Sequence, residues 1–382
     1  MTADPSGARR AGGRASAHLF LLAGQRPGDS HAEALATAHR YGRAAEATGF
    51  AGVWIAEHHF ISYGVCPSAI TFAAHLLGAT RRIEVGTAAC ILSNRHPVAL
   101  GEEAALLHEL SGGRFRLGVG RGGPWVDLEV FGTGTERFAG GFHDALELLT
   151  RWLSGQPTVA GNHRFPFRAV PVVPRPRGRL PVWVAATSTG TVEVAARHGL
   201  PLLLGLHADL AEKAELLDRY ARTAEAHGKN SAGIEHASAH LAQVAETDAA
   251  ARLAVTTGLP PLLAGAREYV RLDGAPAGQR DPAGYVEHLI DIHPVGAPDR
   301  CRQAVARAAA LPGVRHLLFM VEAGGGPEIG LANMRRLATD VLDLAPAGDP
   351  QPLTPTSASQ AAGSASDGEA TRYHAIHGND FR

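Results

Sequence analysis

Short apolar runs recur along the chain, each followed by a longer segment whose apolar positions return every three or four residues. Runs at 19–23, 51–56, 83–92 and 115–119 read as strands, and the segments at 31–48, 67–79 and 97–110 between them read as helices. The first helix stops at Gly49, and Pro97 falls in the first turn of the third, where its missing N–H costs no hydrogen bond. A Gly-rich loop and a helix at 138–154 follow the fourth strand. Prolines and arginines at 155–180 break the rhythm and mark an excursion between units. The alternation then resumes with strands at 182–186, 200–206, 236–244 and 316–321, and helices at 188–198 and 209–228. Eight strands alternating with helices predict a parallel α/β sheet with helical crossovers. The count and length favour a (β/α)8 TIM barrel over an open doubly wound sheet, and no G-x-G-x-x-G follows the first strand.

The barrel is expected over 18–346, with a Gly/Ala/Arg/Ser-rich N-terminal tail at 1–17 and a flexible Ser/Ala/Pro-rich C-terminal tail at 347–382. With 45% hydrophobic and 19% charged residues, the chain can bury a sizeable interior. Its net charge of -1 offers no field for nucleic acid or an anionic membrane, and no apolar run is long enough to span a bilayer. No apolar stretch follows Arg9, Arg10 and Arg14, so a secretory signal is not expected. Cys66, Cys90 and Cys301 are widely separated and match neither a disulfide framework nor a metal site; a reducing cytoplasm is expected.

In such a barrel, chemistry collects beyond the C-terminal strand ends. Glu57-His58-His59 falls just past the second strand, and histidine titrates near neutral pH. By themselves the two histidines are also compatible with local capping of a strand. Arg121 leaves the fourth strand among glycines, where a planar guanidinium suits a phosphate or carboxylate. Thr187-Ser188-Thr189-Gly190-Thr191 opens the helix after the fifth strand, which makes either an anion site or an ordinary N-cap. Val85-Gly86-Thr87-Ala88-Ala89 ends the third strand in small residues, which leave room for a flat ring or simply pack closely.

Glu57-His58-His59-Phe60, Ala73-Ala74-His75-Leu76-Leu77-Gly78-Ala79-Thr80, Val85-Gly86-Thr87-Ala88-Ala89, His96-Pro97-Val98, Gly113-Arg114-Phe115-Arg116 and Val130-Phe131-Gly132-Thr133 follow one another in order. Together with Ala195-Ala196-Arg197-His198-Gly199-Leu200-Pro201 and Pro294-Val295-Gly296-Ala297-Pro298, they closely resemble the bacterial luciferase family, its α subunit most of all. The likeness covers most of 18–345.

The resemblance implies an oxidoreductase of known type: a monooxygenase that takes reduced FMN (FMNH2) from a separate flavin reductase. O2 then adds to the flavin, and the resulting peroxide oxygenates a small organic substrate, either a long-chain aldehyde or a natural-product intermediate. It places His58 as the catalytic acid/base and Arg121 at the flavin phosphate, with Ser188 and Thr191 as hydroxyl partners and Thr187 giving backbone contacts. Ala88 and Ala89 match a pair joined by a cis peptide beneath the ring, and Glu57 would sit near that ring. Gly120 stands where luciferase α has a cysteine, widening the flavin pocket, and Pro124 where it has a tyrosine. A lid over 265–284, a homodimer, and interface roles for His59, Glu102 and Glu103 are further expectations. Two alternatives remain open: a deazaflavin-dependent hydride-transfer enzyme, and a non-catalytic partner barrel like the luciferase β subunit.

Overall fold

The computed structural model describes residues 14–274 and 281–346. The expected C-terminal tail, most of the N-terminal one and residues 275–280 of the expected lid lie outside the described residues. Eight strands form one sheet: β1 (Ser16–Leu21), β2 (Gly52–Ile55), β3 (Glu84–Thr87), β4 (Phe115–Gly120), β5 (Val182–Ala186), β6 (Leu202–Leu204), β7 (His236–Leu241) and β8 (Val314–Met320). Each pairs in parallel with its neighbours, β1 with β8, and β3 with β4, so the sheet closes into an eight-stranded barrel. The main helices are α1 (His31–Ala47), α2 (Ala69–Ala79), α3 (Pro97–Leu110), α4 (Gly141–Trp152), α5 (Thr189–His198), α6 (Leu210–Ala226), α7 (Asp248–Ala264), α8 (Pro282–Ile292), α9 (Pro298–Ala309) and α10 (Pro327–Arg336).

Strand periodicity sorts the core into two layers. Leu19, Leu21, Val53, Ile55, Leu117 and Val119 face outward and are buried against the helices. Phe20, Trp54, Trp183, Leu203, Ala239 and Leu318 face inward and fill the barrel. With both faces covered, the strands read in sequence as continuous apolar runs. The lower interior is polar: Ser16 Oγ lies 2.8 Å from His18 Nε2 and 2.9 Å from His316 Nδ1, and Trp54 Nε1–H donates to His18 Nδ1 at 3.3 Å.

Several expected boundaries shift for local reasons. The run at 83–92 is not one strand. β3 stops at Thr87, the Ala88–Ala89 peptide is cis, and Cys90–Ile91 re-pairs with β4 before a 3-10 turn at Leu92–Asn94. The helix at 138–154 is two, Gly134–Ala139 and α4, which part at Gly140. The excursion at 155–180 carries an antiparallel pair, Thr158–Val159 with Val170–Pro171. Beyond β7, Gln243–Val244 pairs separately with Val295–Gly296. The Pro-containing stretch before the expected lid is the end of α7, which runs through Pro260 and Pro261 because Leu259 and Leu262 bury their side chains. Only Gly265–Gly274 of the lid is described as connecting chain, beginning with a 3-10 turn at Gly265–Glu268, and α8 starts at Pro282.

The barrel and its helices bury several imidazoles in neutral form. His236 Nδ1 accepts the Leu202 N–H at 3.0 Å, and burial pushes its pKa down to about 4. Burial, reinforced by Lys213, takes His293 to about 3, and His18 and His240 are also held well below the ordinary 6.5. Each of these groups holds a proton less tightly folded than unfolded, so acid drives unfolding. The stability they contribute is full above about pH 6.5 and is lost as pH falls through the folded values. For His236 the difference amounts to roughly 3 kcal/mol. Thermal melts between pH 7.5 and 4 should therefore show a falling Tm below pH 6.5, with a shallower slope in His236→Gln; equal slopes in the two proteins would contradict this assignment.

Candidate active site at the barrel mouth

A cavity of about 400 Å³ opens at the C-terminal ends of the strands, within the range typical of small-molecule sites. Its floor is made of small residues: Ala88 and Ala89 beyond β3, Gly120 at the end of β4, and Ala185 on β5. A Cβ placed on Gly120 would stand 3.5 Å from both Ala89 and Ala185, so this corner has room for one methyl group and little more. The inner walls are apolar, with Leu22, Leu203, Leu206, Ala239 and Leu318, while Glu57, His58 and Thr187 bring polar groups.

The chain leaves β2 directly into Glu57, whose carboxylate is buried. One oxygen accepts from Ile91 N–H at 3.0 Å; the other accepts from Ala69 N–H at 3.0 Å and from Arg95 at 3.2 Å. His59 Nε2 stands 3.7 Å from the first oxygen, too far for a hydrogen bond. Burial alone would raise the carboxyl pKa, but His59, Arg95 and the two amide donors outweigh it and hold the group ionised. Glu57 therefore ties the start of α2 and the strand segment after Ala89 to the end of β2. Arg95 also reaches Ser68 Oγ and, at 3.4 Å, Glu103.

His58 lies against the other side of the mouth. Its backbone N–H donates to Cys66 O at 3.0 Å, its ring meets Tyr63 edge-on at 5.3 Å, and Nδ1 is buried without a partner. Burial lowers its pKa to about 4; Glu57 opposes this and His59 adds to it. The imidazole is thus neutral near pH 7. Gly64 makes the seat, because a Cβ there would run into His58 Nδ1.

Six of the nine residues expected at the site line this cavity: Glu57, His58, Ala88, Ala89, Gly120 and Thr187. Arg121, Ser188 and Thr191 are not on its wall. Arg121 lies with its guanidinium 4.3 Å over the Phe138 ring and has no carboxylate partner among the described residues. Ser188 and Thr191 join their hydroxyls at 3.1 Å, and Ser188 leaves the first amides of α5 without a side-chain cap. This differs from α1 and α6, whose caps form full capping boxes. Because Gly120 pairs with Ala185, Arg121 and Ser188 leave neighbouring strands a short step beyond the same level.

Sequence reasoning missed Arg95, Gly64 and the partners of the expected lid. Residues after α7 cross the opening. Glu268 accepts from Ser62 N–H at 2.6 Å and Ser62 Oγ at 2.7 Å, and Tyr269 stacks on Trp125 at 4.5 Å. Val126 N–H donates to Val270 O at 3.0 Å, and Leu272 N–H to Pro124 O at 2.8 Å. A second chamber of about 910 Å³ continues from His58, Tyr63, Thr187 and His207 toward α6. No group of three or more His, Cys, Asp or Glu among the described residues is arranged to hold a metal ion, and no helix among them is long and apolar enough to cross a membrane.

The family described as luciferase-like monooxygenase matches residues 16–316. The alkanal monooxygenase alpha chain of Photorhabdus laumondii is 30% identical over 348 residues, covering 85% of this chain and 96% of that one. Among solved structures, the monooxygenase RslO1 from Streptomyces bottropensis superposes with a TM-score of 0.73 at 22% identity, covering 86% of this chain and 98% of that one. The oxygenating constituent of 3,6-diketocamphane monooxygenase from Pseudomonas putida, in complex with FMN, gives 0.69 at 19%, covering 86% and 97%. An F420-dependent secondary alcohol dehydrogenase with an F420-acetone adduct gives 0.65 at 16%, covering 86% and 99%.

Two substitutions test the construction of this site. Arg95→Met leaves a buried carboxylate short of its guanidinium partner and should cost about 3 kcal/mol in urea unfolding. Gly64→Ala, whose Cβ would meet both the His58 ring and Leu22 O, should displace the His58 ring, read as a shift of the His58 ring resonances by NMR. An unchanged unfolding midpoint in the first, or unchanged resonances in the second, would remove the corresponding contact from the account.

Proposed function

The chain belongs to the luciferase-like monooxygenase family, and from that premise we propose a two-component flavin monooxygenase. In this reading FMN arrives already reduced from a separate reductase, and O2 and a small organic molecule are the co-substrates. The observation that carries it is a neutral histidine, His58, on the wall of a cavity floored by Ala88, Ala89, Gly120 and Ala185. Small floor residues fit a flat ring, and the His58 imidazole brings a polar group to the wall beside it. When bound, reduced flavin supplies the oxygen-activating chemistry.

The chain's own groups then do four things. Arg121, which has no carboxylate partner among the described residues, the backbone of Thr187 and the hydroxyls of Ser188 and Thr191 at the uncapped start of α5 would hold the phosphate. The apolar walls and the Trp125–Tyr269 roof keep water out. Glu57 fixes the Ala88–Ile91 segment at the cavity floor, where the ring would be held. His58, on the cavity wall with its imidazole neutral at working pH, accepts a proton at the reacting edge and returns it. Two copies forming a C2 dimer, with His59, Glu102 and Glu103 toward the contact, complete the proposal. A deazaflavin hydride-transfer enzyme is the second reading, favoured by the likeness to the F420-dependent dehydrogenase.

Anaerobic titrations with reduced FMN, reduced riboflavin and reduced F420 separate these readings. Reduced FMN should bind most tightly. Arg121→Ala should weaken it about ten- to a hundredfold, as expected for a charged hydrogen bond, while leaving riboflavin unaffected. His58→Ala should keep flavin affinity within about threefold and lower turnover about a hundredfold or more. Preference for F420 would overturn the FMN assignment, and full turnover in His58→Ala would overturn the proton-transfer role.

A further inference from the structure

Only Lys213 and Lys229 of the 36 basic residues are lysines; every other is arginine. Lys213 sits in the first turn of α6, where a chain so given to arginine would put a solvent-facing guanidinium. Instead it is buried, 1% exposed. Its Nζ donates to Ala239 O on β7 at 2.8 Å, and no carboxylate lies within ion-pair distance among the described residues. Arginine could not take this place as a neutral group, whereas an amine can give up its charge when desolvated.

Lys213 lines the second chamber, which meets the flavin cavity at His58, Tyr63, Thr187 and His207. Around the amine, Asp209 on α6 favours the charged form, while the neutral imidazoles of His240 on β7 and His293 after α8 offer no counter-charge. Glu212 spends its carboxylate on the Asp209 N–H at 2.9 Å. Glu215, Arg271, His207 and Tyr285 line the same chamber. Burial brings the amine down to about 7, so near neutral pH a large share carries a free lone pair. The remaining walls, with Tyr63, Trp125, Tyr269 and Leu216, suit a flat, largely apolar ring.

We propose that Lys213 is a substrate-side base for a phenolic compound seated in the second chamber. The phenol O–H bond breaks, the proton goes to Nζ to give the ammonium, and the phenolate oxygen stays beside it as an ion pair. The step needs no other reactant. It rests on the flavin monooxygenase reading, which it deepens: a phenolate ring is electron-rich at carbon, as transfer of an electrophilic oxygen requires.

The test uses 1-naphthol, whose anion absorbs to the red of the neutral form, with the full-length protein at pH 7.5 and without flavin. Wild type should raise the anion fraction of bound naphthol at least tenfold over that in buffer, and Lys213→Met should bind naphthol but lose that gain. Equal anion signals in the two proteins, or none in wild type, would overturn the proposal. Acetic anhydride labelling followed by mass spectrometry needs no variant. Lys213 should be acetylated with a midpoint near neutral pH and be protected by 1-naphthol. A Lys213 that stays unmodified while Lys229 reacts would show the amine closed to the chamber and overturn the proposal. Because flavin is absent from both arms, anion formation without any affinity for reduced FMN would sink the cofactor reading and leave the base assignment standing.

Discussion

The buried carboxylate of Glu57 organises one side of the mouth of this barrel. Glu57 is the point at which β2, the beginning of α2 and the segment after Ala89 are fastened together, through two amide donors and Arg95. An ionised group in that position is tolerable only because each of its oxygens is satisfied; without the donors, desolvation would dominate. The cis Ala88–Ala89 peptide and the strand pairing of Cys90–Ile91 with β4 lie immediately upstream of the Ile91 N–H that Glu57 holds. The floor of the cavity is thus set by the residue next to its histidine.

The same economy of polar groups runs through the interior. Imidazoles at positions 18, 58, 236, 240 and 293 are all kept uncharged by burial, and the barrel shelters few full charges. Where full charge is retained inside, as at Glu57, a counter-ion and amides accompany it. Lys213 departs from this rule, with one carbonyl and no carboxylate at ion-pair distance among the described residues. The mouth is roofed by aromatic stacking, backbone bridges and the Glu268 carboxylate on Ser62.

Much of this was legible in the chain before folding. The barrel follows from strand runs buried on both faces, and Glu57, His58, Ala88, Ala89, Gly120 and Thr187 do converge on one cavity, because a parallel barrel brings every strand end to the same face. What the sequence concealed has physical causes. The break of β3 depends on a peptide geometry that alanines do not advertise, and α7 continues through two prolines because its buried leucines outweigh their local preference. Arg95 lies thirty-eight positions from Glu57, and pairing at that separation leaves no local pattern. The Lys213 signal was present as composition, one of two lysines in an arginine-rich chain, but only burial gives it meaning.

The central claim is that this mouth holds reduced flavin while oxygen reacts, with bulk water shut out. It is tested most directly by preforming the complex with reduced FMN under anaerobic conditions, mixing it with oxygenated buffer, and following oxygen consumption together with the return of oxidised-flavin absorbance. The account predicts that oxygen disappears well before the oxidised colour returns, with the delay shortened when Trp125→Ala opens the roof. Simultaneous change of both signals, at the rate of free reduced FMN, would contradict it.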